Sequence, residues 1–336
     1  MNSLAAAVVG VAVILTGIGY VEFAINNAVA ASNRADIHLS VGNQDLHSTR
    51  WPLIAMKTKT DPPFIISLPT QEEDSLRFEI TQSGLYYERG LTRTVSEVLN
   101  APKNIKLKKA AVLDVGCNLG WYTFYSASIF REQSKSSDRS IYCFEANPNI
   151  HPRLYDSIRF NRDFDQSITI VPNAVSDRRG SVTFSWLEGH YGGGSMKDGS
   201  NSDEPQQSTT VQTIPLDDYV ATHIPRSTPI LYLKLDVEGF ECIVMRGART
   251  LLTSRRVYNI FVEMGFDHEQ GTGCTVKEYI TMLLDEGGYK LRVGHDVNRP
   301  PIARGGVDAF LEEYRTKLSS TGGGNRYQNI WFFLDT

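Results

Sequence analysis

The sequence predicts an α/β fold: a mostly parallel, twisted sheet with helices on both faces and an antiparallel C-terminal strand. Three observations carry this expectation. Beyond Lys108, five short apolar runs, AAVLDVG, SIYCFEA, ITIVPNAV, PILYLKLDV and VYNIFVEM, are each followed by helix-compatible sequence or a loop. That alternation is the mark of strands joined by crossover helices. The runs are almost continuously apolar, as strands covered on both faces must be. Near the end, YKLRV and NIWFFL have no convincing helix between them, which predicts antiparallel closure.

Taken in order, the chain opens with an apolar stretch over residues 4–24, close to the roughly 20 residues that a membrane-spanning helix needs. It reads as an uncleaved anchor, with a signal peptide cut after Ala28-Val29-Ala30 as the alternative. Sidedness stays open, because only Arg34 follows closely and no N-x-S/T sequon exists. The expected organisation is an anchor or signal segment over 1–31, a polar stem over 32–62 ending at Pro62-Pro63, and a domain over 63–336 with its core over about 108–336. FIISLP and LRFEIT read as short strands. The spacing of Leu91, Val95 and Val98 predicts a helix that Pro102 ends. SVTFSWLEG reads as a strand, and the Gly/Ser-rich HYGGGSMKDGSNSDEPQQ as a loop or lid.

Composition removes several classes. With 34 Lys+Arg against 38 Asp+Glu, the net charge of −4 leaves no broad basic face for nucleic acid. The four cysteines, Cys117, Cys143, Cys242 and Cys274, form no CxxC pair or metal-spaced cluster, and they read as free buried thiols.

Chemistry concentrates at strand ends. Asp114-Val115-Gly116-Cys117-Asn118-Leu119-Gly120 closes the first core strand and opens WYTFYSASIF, a glycine turn leading to a helix whose N–H groups face outward. Its D-x-G-x-x-x-G spacing is not the G-x-G-x-x-G of a dinucleotide site, and an acidic side chain there suits a cation better than a pyrophosphate. Glu145, ending the second strand, can accept both hydroxyls of a ribose. Asn173 and Ala174, ending the third, can line an adenine pocket.

The fourth strand carries Lys234-Leu235-Asp236-Val237-Glu238-Gly239-Phe240-Glu241, which closely resembles the K-I-D-V-E-G-x-E signature of FkbM-type methyltransferases. VLDVGCNLGWYTFYSA, FEANP, NAVSD, TIPLDDYV and NIFVEM resemble that family's other motifs in its order, from about Pro63 onward. Cys117 departs from the small residue usual in the first motif. The resemblance implies a class I methyltransferase Rossmann-like fold and an S-adenosyl-L-methionine pocket built from Asp114, Gly116, Asn118, Gly120, Glu145, Asn173 and Ala174. It further implies O-methylation of a sugar, glycan, polyketide-like or other small-molecule hydroxyl. For catalysis the candidates are Asp236, Glu238 and Glu263, carboxylates at strand C-termini able to take the hydroxyl proton. His190 and His268 are weaker candidates for the base, and no metal is assigned. A non-catalytic tethered binding protein, a protein methyltransferase and an NAD-dependent oxidoreductase remain the alternatives. The expected partners are a hydroxyl-bearing acceptor and a membrane, not nucleic acid.

Overall fold

The near-continuous apolar runs supply strands of one seven-stranded sheet, except that the Ala174-Val175 end of ITIVPNAV joins a separate three-stranded sheet. The computed structural model describes residues 53–70, 75–133, 138–187, 206–265, 273–294, 300–320 and 328–335. The apolar segment over 4–24, the Gly/Ser-rich loop up to residue 205, His190 and His268 lie outside them, and the loop's last two residues, Gln206 and Gln207, begin a strand instead. Among the described residues, no helix is long and apolar enough to cross a membrane.

The elements are β1 (Leu53–Lys57), β2 (Ile65–Pro69), α1 (Ser75–Ser83), α2 (Arg89–Asn100), α3 (Pro102–Ile105), β3 (Lys109–Val115), α4 (Trp121–Glu132), β4 (Asp138–Phe144) and α5 (His151–Phe160). There follow β5 (Ile168–Val171), β6 (Ala174–Val175), β7 (Gly180–Leu187), β8 (Gln206–Ile214), α6 (Leu216–His223), β9 (Ile230–Leu235), α7 (Glu241–Arg246) and α8 (Arg249–Thr253). The last are β10 (Asn259–Met264), α9 (Val276–Thr281), β11 (Lys290–Val293), α10 (Val307–Ser320) and β12 (Gln328–Phe333).

The large sheet runs β11-β12-β10-β9-β3-β4-β5. β12 is antiparallel to both its neighbours, while β10, β9, β3, β4 and β5 pair in parallel. Successive residues of the central strands enter opposite cores. Val112, Tyr232 and Phe261 pack with α2, α4 and the β1–β2 hairpin, whereas Leu113, Leu233 and Val262 pack with α6 to α10. Period-two side-chain alternation in a sheet covered on both faces requires this split.

Four sequence expectations are corrected. Residues 53–62 do not end a stem, since β1 pairs antiparallel with β2 over Leu53↔Pro69 to Lys57↔Ile65. Ser157 of α5 and Asn161, the residue that follows it, accept backbone N–H bonds from Ser67 and Ile65, which fixes that hairpin to the core. LRFEIT is not a strand but lies in α1, where Ile80 is buried and Phe78 is exposed. The antiparallel closure stands although a helix does intervene: α10 buries Val307, Phe310, Leu311 and Tyr314, one stripe at helical spacing. Finally, the cysteines are not free. Cys117 is bonded to Cys143 and Cys242 to Cys274, with Cα–Cα distances of 5.5 and 5.9 Å that suit a disulfide. Parallel pairing of β3 with β4 sets Asp114 opposite Cys143 and brings the first pair within reach.

Candidate active site

The C-terminal ends of β3, β4, β9 and β10 surround one open cleft. A crevice at this edge is where open α/β sheets bind ligands. Its wall includes Gly116, Asn118, Glu145, Asn173, Ala174, Asp236, Glu238 and Glu263. Eight of the ten residues singled out in the sequence therefore share one cavity.

Gly116 has φ +75°, and a Cβ there would lie 1.8 Å from the Asp236 carbonyl oxygen. Only glycine lets the turn pass that close to the end of β9. The Gly116 and Cys117 N–H groups both donate to the Phe144 carbonyl, and the Asn118 N–H donates to Glu145 Oε2 at 2.8 Å. Asn147 N–H donates to Glu145 Oε1, also at 2.8 Å. Two amides thus orient a buried carboxylate whose remaining lone pairs face the cleft. Burial pushes the Glu145 carboxyl up to about 7, against the pull of those amides.

Asp114 and Gly120 stand apart from the cleft wall. Asp114 is fully buried behind the turn and accepts the Thr123 hydroxyl at 2.6 Å; burial raises its pKa, with Lys234 and Thr123 opposing. Gly120 starts α4 at φ +84°, where a Cβ would strike the Phe124 ring at 2.4 Å. Both shape the turn from behind.

The other half of the cleft is acidic. Lys234 Nζ donates to Asp236 Oδ2 at 2.8 Å from a buried position. Glu238 sits at φ +52°, a strained conformation for a residue with a side chain and one that clusters at functional sites. Burial, then Asp236, raises the Glu263 carboxyl to about 8. The same causes lift Glu238 to about 7, although its exposure at the rim lets water temper the push.

Several lining residues escaped the sequence reading. Leu76, Tyr86 and Tyr87 come from the segment ahead of the core, Phe184 from β7, and Asn147 from the turn after Glu145. The rings of Trp121, Tyr86 and Tyr87 form a ladder from core to rim, with centroid spacings of 5.4 and 4.5 Å. Glu88 anchors this segment by accepting from the Tyr122 hydroxyl at 2.9 Å and Asn329 Nδ2 at 2.6 Å. The run YYERG was the available signal, but nothing local said it would cross to the sheet edge.

The fold is that of a class I methyltransferase. Residues 114–291, more than half of the chain, match the methyltransferase FkbM domain, and the chain belongs to that family. No curated protein matches it. Among solved structures it is similar to a methyltransferase FkbM from Methylobacillus flagellatus, at 13% identity and a TM-score of 0.40. That alignment covers 71% of this chain and 48% of the other, about half its length. It is also similar to a precorrin-6y C5,15-methyltransferase from Geobacter metallireducens, at 10% identity, coverage of 73% and 87%, and a TM-score of 0.34. An Aeropyrum pernix fibrillarin with natively bound S-adenosyl-L-methionine gives 13%, coverage of 88% and 98%, and 0.34.

S-adenosyl-L-methionine is the cofactor of this class, and the cleft passes a test of fit. Asn147 Nδ2 and Asn118 Oδ1 are buried without hydrogen-bond partners among the described residues, and both residues line the cleft. A donor and an acceptor left unmet are costly unless a polar ligand completes them.

Proposed function

We propose that the protein transfers the methyl group of S-adenosyl-L-methionine to a hydroxyl of a small molecule or glycan. The observation that carries this reading is the division of one cleft into two walls. Glu145, Asn118, Asn147, Asn173 and Ala174 form the wall suited to a nucleoside, and Asp236, Glu238 and Glu263 form the opposite one. When bound, the cofactor supplies an electrophilic methyl carbon. Glu145 accepts the ribose hydroxyls, and Gly116 lets the ligand approach the backbone. The acidic wall holds the acceptor hydroxyl in line with the methyl group and takes its proton, a contribution of about a hundred- to ten-thousand-fold. Tyr86, Tyr87 and Leu76 screen the acceptor from water.

The apolar segment over 4–24 is read as a membrane anchor, with signal-peptide cleavage as the alternative. Two disulfides suit a catalytic domain on the oxidising side of that membrane.

Calorimetric titration of the full chain with S-adenosyl-L-methionine tests the cofactor wall. Glu145→Ala is expected to weaken binding at least about tenfold, a loss of about 1.4 kcal/mol, and unchanged affinity would sink the assignment. Incubation with methyl-labelled cofactor and fractionated metabolites, glycans and proteins tests the acceptor. Label is expected in hydroxyl-bearing small molecules or glycans; label confined to protein would reject that acceptor class.

A further inference from the structure

Three carboxylates face the acceptor side of the cleft, and they are not equivalent. Asp236 has a cation bonded to it, whereas Glu238 and Glu263 form no ion pair or side-chain hydrogen bond among the described residues. The cation is Lys234, buried in β9. Strand pairing sets Asp114 of β3 directly beside it and Phe261 of β10 on its other flank. Its ammonium lies 5.3 Å from the centre of the Tyr122 ring, whose hydroxyl donates to Glu88. One lysine thus bonds Asp236 and is shared electrostatically with Asp114 and Glu88.

We infer that Lys234 is a positioning residue that selects the proton acceptor: its ammonium bond holds Asp236, alone of the three carboxylates, turned to the cleft, and leaves Glu238 and Glu263 without a paired cation among the described residues. This rests on the methyl-transfer reading of the same cleft. In the step it implies, the acceptor O–H bond breaks and its proton goes to the Asp236 carboxylate. The released electron pair forms the oxygen–methyl bond, and the carbon–sulfur pair stays on sulfur. Lys234 touches neither reacting atom and acts through Asp236.

The electrostatics agree with this geometry. Burial opposes charge on Lys234, yet Asp236, Asp114 and Glu88 together hold it protonated above the usual lysine range. Burial raises Glu88 as well, while Lys234 pulls it back down. The groups bearing on this centre are Asp114 from β3, Asp236 and Glu238 after β9, Glu263 from β10, Glu88 and Tyr87 from the leading segment, and Tyr122 from α4. A buried ion pair with only a structural role is often replaceable by apolar side chains at little cost. A charge shared among three carboxylates is not, because its loss strands all of them.

Carboxyl-carbon NMR of the full chain, labelled at Asp and Glu, tests the proposal. Resonances are assigned by their loss in Asp236→Asn and Glu88→Gln. In Lys234→Met, the Asp236 and Glu88 midpoints are expected to rise by about one unit or more, a tenfold gain in proton affinity. Lys234→Arg is expected to restore them. Midpoints unmoved in a folded Lys234→Met protein would overturn the inference. Should that variant not fold, the Lys234 side-chain resonance of the wild type decides: loss of its proton near neutral pH overturns the inference, and retention through the lysine range upholds it. Neither readout involves methyl transfer, so failure here is separable from failure of the proposed activity, which the calorimetric and labelling experiments address.

Discussion

At residue scale, the tightest constraint in the cleft is Gly116. Its φ of +75° disfavours a side chain, and the Asp236 carbonyl occupies the space that a Cβ would need. Gly116→Ala must therefore push the turn away from β9, which breaks the Asp236 N–H bond to the Val115 carbonyl and moves the acidic wall relative to the nucleoside wall. The expected cost is about 2 kcal/mol or more, from backbone strain plus overpacking. Urea denaturation measures that loss, and calorimetry should show cofactor affinity falling with it. A variant as stable as the wild type, with affinity unchanged, would show that the close approach has no such role. Asp114 carries the complementary lesson. Its position before a glycine turn suggested a ligand contact, but side chains alternate along β3, and this one points to Thr123 behind the turn.

At the scale of elements, the two disulfides join segments that the fold packs side by side, the first along the sheet ladder and the second between two helices. Cys117–Cys143 links the glycine turn to β4 two residues before Glu145, and Cys242–Cys274 links α7 to the start of α9. They span 26 and 32 residues, loops for which chain-entropy arguments assign about 3.5 kcal/mol each. Reduction is expected to lower Tm by about 7 °C or more in calorimetric scans with and without reductant. Four titratable thiols in the unreduced, denatured protein would show that the bonds do not form. This pairing was not legible in the sequence, because it depends on the register of β3 against β4 and on a loop path after β10. The parallel strands were legible, since apolar runs such as ILYLKL admit few other structures. So were Gly116, Asn118, Glu145 and the β9 carboxylates, each at a strand end. LRFEIT misled because alternation over six residues fits a strand as well as it fits a helix with Leu76 and Ile80 on one face. Glu88, Tyr122 and Asn329 lie far apart along the chain, and only the closed sheet brings them together around Lys234.

For the whole molecule, the same carboxyls set how stability depends on pH. Burial raises Glu145 to about 7, Glu263 to about 8 and Asp156 to about 6, the last against Arg153 and Arg159, while the same push on Glu238 is screened by its exposure at the rim. Each group binds its proton more tightly folded than unfolded, so between their ordinary values near 4 and their folded values the native state holds the extra protons. Stability is then fully present at the acid end of that window and is lost as pH rises through it. Glu278 acts oppositely, held low by its bond to Arg246, but it is exposed and its effect is screened. The ligand-free protein is therefore expected to melt several degrees higher at pH 5.5 than at pH 8. Glu263→Gln should flatten this slope, because a neutral amide removes the group that ionises latest. Differential scanning calorimetry across that range, with buffers of matched ionic strength, gives the comparison. A Tm that rises toward pH 8 would mean that the acidic wall is solvated rather than held in low dielectric. The electrostatic division of the cleft would then have to come from the ligand instead of from the fold.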